Sequence, residues 1–202
     1  MDYKDYQRAR DSAWEILLDC NVEQLPVDVT SICQALGIRV FSYRSGEKMI
    51  ARHGLQQLTE QTDGFAMMLY DVPVIFFDSR CTKQRARFTI AHEIGHIMLG
   101  HVGHGQCTRI NREPAAGDAP EETQANQFAA RLLAPACVLW ALDIHTAEEI
   151  ALLCDISLPA AGFRAQRMAV LYQRQKFLTS PLERQVHQAF LPFIRHQKNN
   201  RE

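Results

Sequence analysis

The spacing of apolar and polar positions sorts most of the chain into helices and strands. Ala9, Ala13, Ile16 and Leu17 recur at helical spacing, which predicts a helix from Asp5 to Cys20. The stretch LPVDVTSICQALGI predicts a second helix, with Pro26 placed for its first turn and Gly37 for its end. IRVFSY predicts a short strand, and Gly46 to Gly54 carries little signal and is expected to be a loop. In GFAMMLYDVPVIFFD two apolar runs are split by Asp71 and Pro73, as in a β-hairpin or a pair of neighbouring strands. Lys83 to about His101 predicts one long helix, and Glu121 to Leu133, ended by Pro135, predicts another. Between them GHGQCTRINREPAAGDAP is rich in Gly and Pro and predicts a loop. From about Leu139 onward the pattern is helical in several pieces.

One of those pieces has a recognisable shape. TAEEIALLCDISLPAAGFRAQRM reads as helix, short turn, helix. Thr146 is placed to cap the first helix, with Glu149 three residues on to complete a capping box, and Ser157 is placed to cap the second. Arg164, Arg167 and Arg174 follow on that second helix. A helix-turn-helix of this kind can contact DNA or a repressor, or it can simply pack on the rest of the chain. Packing is the favoured reading, because the chain as a whole is not basic.

Composition alters this picture little. A chain of 202 residues can form one domain with a real core, or one domain and a small appendage. Its 47% apolar and 22% charged residues are ordinary globular values, and a net charge of −1 gives no sign of nucleic acid or membrane. The charge is uneven: from Phe163 to the end there are eight Lys/Arg against two Asp/Glu, which leaves −7 for the remainder. That basic section can meet an acidic partner or DNA, but a solvated helical face is the favoured reading. The longest apolar run, Leu132 to Leu142, has 11 residues, against about 20 needed to span a bilayer. The start of the chain is polar, which predicts no targeting segment. Six scattered cysteines without a CxxC pair predict reduced thiols in a cytoplasmic protein.

The chemistry concentrates in RFTIAHEIGHIMLGH. Positions four apart lie on one helix face, so His92 and His96 point the same way and can hold one metal ion. Glu93 lies about 100° round from His92, too far to be an easy ligand but able to reach a water at the metal, which is the geometry of H-E-x-x-H with the glutamate as general base. The apolar flanks predict a helix buried on most sides, where polar groups need a reason. Gly95 costs about 1 kcal/mol relative to Ala there, which suggests that another backbone passes close by. His101, on a continuing helix, faces away from His92; it and His104 are expected to be surface or turn histidines. The third ligand is expected from PEETQANQFAARLLAP. Glu122 shares a face with Asn126, Ala125 and Ala129: the alanines allow close approach, the carboxylate completes the site, and Asn126 can hydrogen-bond a ligand histidine. Glu121, about 100° round, is the competitor for the ligand role.

These two stretches together resemble the ImmA/IrrE family of zinc metallopeptidases, whose pattern is an HE-(I/L)-GH helix followed by an E-x-x-A-N-x-F-A-A-x-L-L-x-P helix. Ala134 stands where Met or Leu is more usual. The likeness is strong over about Asp63 to Pro135. It implies an α+β fold: a minimal gluzincin-like zinc peptidase domain over residues 1–140, with a small β-sheet packed on the active-site helix. A helical, helix-turn-helix-like segment over 141–202 would pack on it. It implies zinc (or manganese, or another divalent ion) on His92, His96 and Glu122, with Glu93 as catalytic base. It also implies an antirepressor role, cleaving a helix-turn-helix repressor in bacteria and their mobile elements. Tyr70 and His145 are candidates for the oxyanion donor or substrate contacts, and the edge of the GFAMMLY strand for an added substrate strand. The competing reading is a non-catalytic regulatory module that binds DNA or a repressor and keeps a structural or latent metal site; the intact Glu93 argues against it.

Overall fold

The computed structural model describes residues 3–103 and 120–200. The predicted loop after Gly103, with His104 and Cys107, lies outside the described residues. The chain groups into two compact units, one of Met1–Ala9 with Val29–Ala129 and one of Arg10–Asp28 with Ala130–Glu202.

The first unit holds a three-stranded sheet of order β1-β3-β2, from β1 (Arg39–Ser42), β2 (Gly64–Leu69) and β3 (Val72–Phe77). β1 runs parallel to β3, and β2 antiparallel to it. The expected hairpin forms, and its two-residue turn is Tyr70–Asp71, both at positive φ (49° and 64°) as a tight hairpin turn requires. Pro73 does not split the strands. It sits inside β3, one residue before the pairing with β1 begins at Val74, where its missing N–H costs the ladder nothing.

Period-two alternation sends Phe65, Met67, Val74 and Phe76 to one face of the sheet, where they meet Ile50 and Leu58. Those two residues come from short helices α3 (Glu47–Arg52) and α4 (Gln56–Gln61), so the loop expected over Gly46 to Gly54 is a correction. Each has six residues and buries only one, too little for a period to show. α2 (Val29–Ala35) ends as expected at Gly37, with φ +68° and the Ile38 N–H bonded to Cys33 O at 2.8 Å. Pro26 is not in its first turn; it follows a cis bond three residues before the helix.

α5 (Lys83–Met98) packs against β2 and β3. Thr82 caps its start, and Arg85 in its first turn pairs with Asp63 just before β2. A Cβ on Gly64 would come within 2.3 Å of Thr89 Cγ2, so helix and sheet are in direct contact there. α5 stops earlier than predicted. Gly100 adopts φ +77°, its N–H reaches Ile97 O, and His101 N–H reaches back to His96 O at 2.9 Å. This pair of bonds closes the helix and turns the chain, so His101 is not on the helix at all. Arg8, at the beginning of the chain in α1 (Tyr3–Asp19), donates to Leu99 O at 2.9 Å in the same turn.

α6 (Pro120–Leu133) carries the second motif. Ala125, Phe128 and Ala129 are fully buried. The group that approaches Gly95 is the Phe128 ring, at 3.0–3.2 Å from where a Cβ would be, not a backbone.

The second unit is helical: α7 (Ala136–Ala141), α8 (Ala147–Cys154), α9 (Leu158–Gln173), α10 (Pro181–Ala189) and α11 (Leu191–Asn199). The capping box of Thr146 and Glu149 is present, and Ser157 caps α9 by accepting from Ala160 N. Asp155, at φ +50°, makes the turn between α8 and α9. Of the three arginines on or just after α9, Arg164 is buried and donates to Ala134 O at 2.8 Å.

Candidate metal centre

Eight consecutive residues of α5, Thr89 to His96, are buried. Helix spacing brings the rings of His92 and His96 together, tilted with centroids 4.7 Å apart, and Glu93, next to His92 in the chain, is 0% exposed. α6 brings Glu122 to the same place. Its two carboxylate oxygens lie 3.3 Å from His92 Nε2 and 3.3 Å from His96 Nε2, and the two ring nitrogens are 2.9 Å apart. Glu121 is exposed.

The hydrogen bonds behind the rings decide what those nitrogens are. Asn126 Oδ1 lies 2.9 Å from His92 Nδ1. An amide oxygen only accepts, so Nδ1 carries the proton and Nε2 presents its lone pair. Gln124 Oε1 lies 3.1 Å from His101 Nε2, and His101 Nδ1 lies 3.1 Å from His96 Nδ1. By the same logic His101 donates to Gln124 through Nε2 and accepts from His96 Nδ1–H, which leaves His96 Nε2 as a lone pair too. Two imidazole lone pairs and a carboxylate then converge with no proton of their own between them. Such a set fits a cation. Four donors about 2.0–2.1 Å from a tetrahedral zinc lie about 3.3–3.4 Å from one another, close to the 3.3, 3.3 and 2.9 Å found. Among the described residues this is the group of three that could hold a metal ion.

Burial would raise the Glu122 carboxyl, but with no metal between them protons on the His92 and His96 rings give it hydrogen bonds and opposite charges, which outweigh burial and bring it down to about 2. A ring proton and a metal ion compete for the same place, so metal occupancy must fall in acid. Burial lowers the His101 pKa, as does the charge of His96, in keeping with a neutral ring that accepts. Tyr43, whose hydroxyl bonds Thr62, is pushed up to about 12, chiefly by burial and further by the charges of Asp78, Glu93 and Asp63.

The sequence model of a peptidase family, the IrrE N-terminal-like domain, matches residues 33–166. The chain belongs to this family. No match was found among curated proteins. The IrrE-like domain is of metallopeptidase type, and its α+β architecture is the one expected. The match includes every residue of the cluster, and among the described residues no helix is long and apolar enough to cross a membrane.

Two sequence candidates have other surroundings. Tyr70 stands at the hairpin tip, 84% exposed, on the rim of a cleft with Arg39, Lys48 and Arg52, and makes no hydrogen bond to His92, His96 or Glu122. His145 stacks on Tyr172 at 4.3 Å and bonds Asp143 Oδ1 at 2.8 Å, both within the second unit. Gln124 and the true position of His101 were missed. The available signal was Gly100: a glycine directly after an apolar run ends the helix and reverses the chain.

Proposed function

We propose that the protein is a zinc-dependent endopeptidase that works in the cytoplasm as an antirepressor, cleaving a helix-turn-helix transcriptional repressor. The observation that carries the reading is the convergence of the His92 and His96 lone pairs on the Glu122 carboxylate beside a fully buried Glu93. A structural metal site has no use for that extra carboxylate. Zinc, or manganese or another divalent ion, would supply Lewis acidity for the peptide carbonyl and lower the pKa of a bound water, to about 7 for zinc. His92, His96 and Glu122 hold it, and Asn126 fixes the His92 ring.

Glu93 takes the proton from the attacking water as the new C–O bond forms. It then delivers that proton to the amine nitrogen as the C–N bond breaks. Glu93 is fully buried, which keeps bulk water from it.

The test is a Glu93→Gln variant incubated with candidate repressors. Zinc retained and cleavage lost is the expected result. Cleavage by the variant at the wild-type rate would exclude Glu93 as the base. Zinc in wild type with no cleavage of any repressor would favour the binding-module reading. For the α8–α9 pair the buried Arg164 supports packing over DNA contact.

A further inference from the structure

We propose that His101 is a positioning residue for the metal ligand His96, and that Gln124 in turn positions His101. The inference rests on the metal reading of the site and assigns roles to two residues that neither the HExxH pattern nor the E-x-x-A-N pattern specifies.

His96 needs two things to act as a ligand through Nε2. Its Nδ1 must carry the proton, and its ring must be held at one rotation. His92 has both from Asn126, through a single hydrogen bond at 2.9 Å. His96 has no such amide behind it. It faces His101 instead, ring nitrogen to ring nitrogen, at 3.1 Å. A histidine is an ambiguous partner, because either nitrogen can be donor or acceptor. Gln124, itself buried, removes the ambiguity: its Oε1 accepts from His101 Nε2–H at 3.1 Å, so His101 Nδ1 is the acceptor. The two ligands thus have parallel supports of unequal length, one residue behind His92 and two behind His96. Both supports end on α6, two residues apart at Gln124 and Asn126, the helix that also supplies Glu122.

His101 is not a fourth ligand. Its Nδ1 meets His96 on the side opposite the Nε2 that faces Glu122, and its Nε2 is taken by Gln124. It reaches this place because Gly100, at φ +77°, ends α5 and folds the next residue back over the helix end. Arg8 bonds the Leu99 carbonyl in that turn.

The test uses the full chain and zinc alone. Competition with a chromophoric chelator gives the zinc affinity of wild type, His101→Ala, His101→Gln and Gln124→Ala. His101→Ala should bind zinc 10–100-fold more weakly, the range for loss of a residue that orients a metal-bound histidine. His101→Gln should recover much of that loss, because its amide oxygen can accept from His96 Nδ1–H. Gln124→Ala should show a smaller loss. Long-range nitrogen–proton correlation spectra of the histidine rings provide a readout independent of activity. They should show His96 protonated at Nδ1 and His101 at Nε2, with the His96 pattern disturbed in His101→Ala. The cobalt-substituted protein should likewise change its visible absorption in His101→Ala. Wild-type affinity and an unchanged cobalt spectrum in His101→Ala would overturn the assignment, as would a proton on His101 Nδ1. If wild type itself takes up no zinc, the metal reading fails with it, a result distinct from zinc bound equally by all four proteins.

Discussion

α5 and α9 are both 16 residues long, and they meet the core in opposite ways. α5 is buried over eight consecutive residues, and among them are two histidines and a glutamate. α9 buries only Ala161, Arg164 and Met168, a stripe at helical spacing, and exposes Leu158 and Phe163. In α9 the one buried charge has a simple task, holding the Ala134 carbonyl, and the helix is explained by packing. In α5 packing explains nothing about His92, Glu93 and His96, since apolar residues would fill the same space at less desolvation cost. A polar residue on a stripe is routine; three of them on a helix covered all round require a partner such as a metal ion.

That contrast can be broken or sharpened by experiment. The largest effect is expected at the ligands. Elemental mass spectrometry should find about one zinc per chain in wild type, in line with a single three-ligand site, and little or none in His96→Ala or Glu122→Ala. Full zinc in both variants would show that α5 needs another explanation. Glu93→Gln should keep the metal and lower the cleavage rate by about 10²–10⁴-fold, the usual contribution of a general base, as read in a single-turnover assay.

A valine at Gly95 would press into the Phe128 ring and should cost about 1–3 kcal/mol in urea unfolding. Unchanged stability would mean that the α5–α6 contact is looser than described. On the other side of the comparison, Thr146→Ala removes the cap of α8 and should cost about 1 kcal/mol without changing zinc content.

The smallest effect is an alkaline one shared by both units. Tyr43 and Tyr172 are each pushed from 10 to about 12, chiefly by burial. The unfolded phenols therefore ionise first, so this contribution to stability is whole below pH 10 and is lost as the pH rises toward 12. An ultraviolet titration should show two of the five tyrosines ionising late, and all five titrating together near 10 would contradict it.

What could be read from the sequence follows the same contrast. The long elements with strong periods, α1, α5, α6 and the β2–β3 hairpin, were legible, as were the caps Thr146 and Ser157, because cap chemistry is local. The pairing of Glu122 with the two histidines was legible because i, i+4 spacing fixes both faces. α3 and α4 were not, since six residues with one buried position carry no period. His101 was misplaced for a different reason. Extending the helix by three residues rotated it to the wrong side, whereas Gly100 in the left-handed region folded it back onto His96. The errors lie where a single backbone turn, not a pattern, decides the outcome.

The cluster also ties α5 to α6, which are far apart along the chain. An ion shared by His92, His96 and Glu122 would act as a removable cross-link between two pieces of one fold. A ligand that binds only the folded chain adds stability as the logarithm of its concentration, about 4 kcal/mol at a thousandfold excess over Kd. The lifetime of the protein against proteolysis would then track the metal supply of the cell, and its abundance would rise and fall with that supply without any separate sensor.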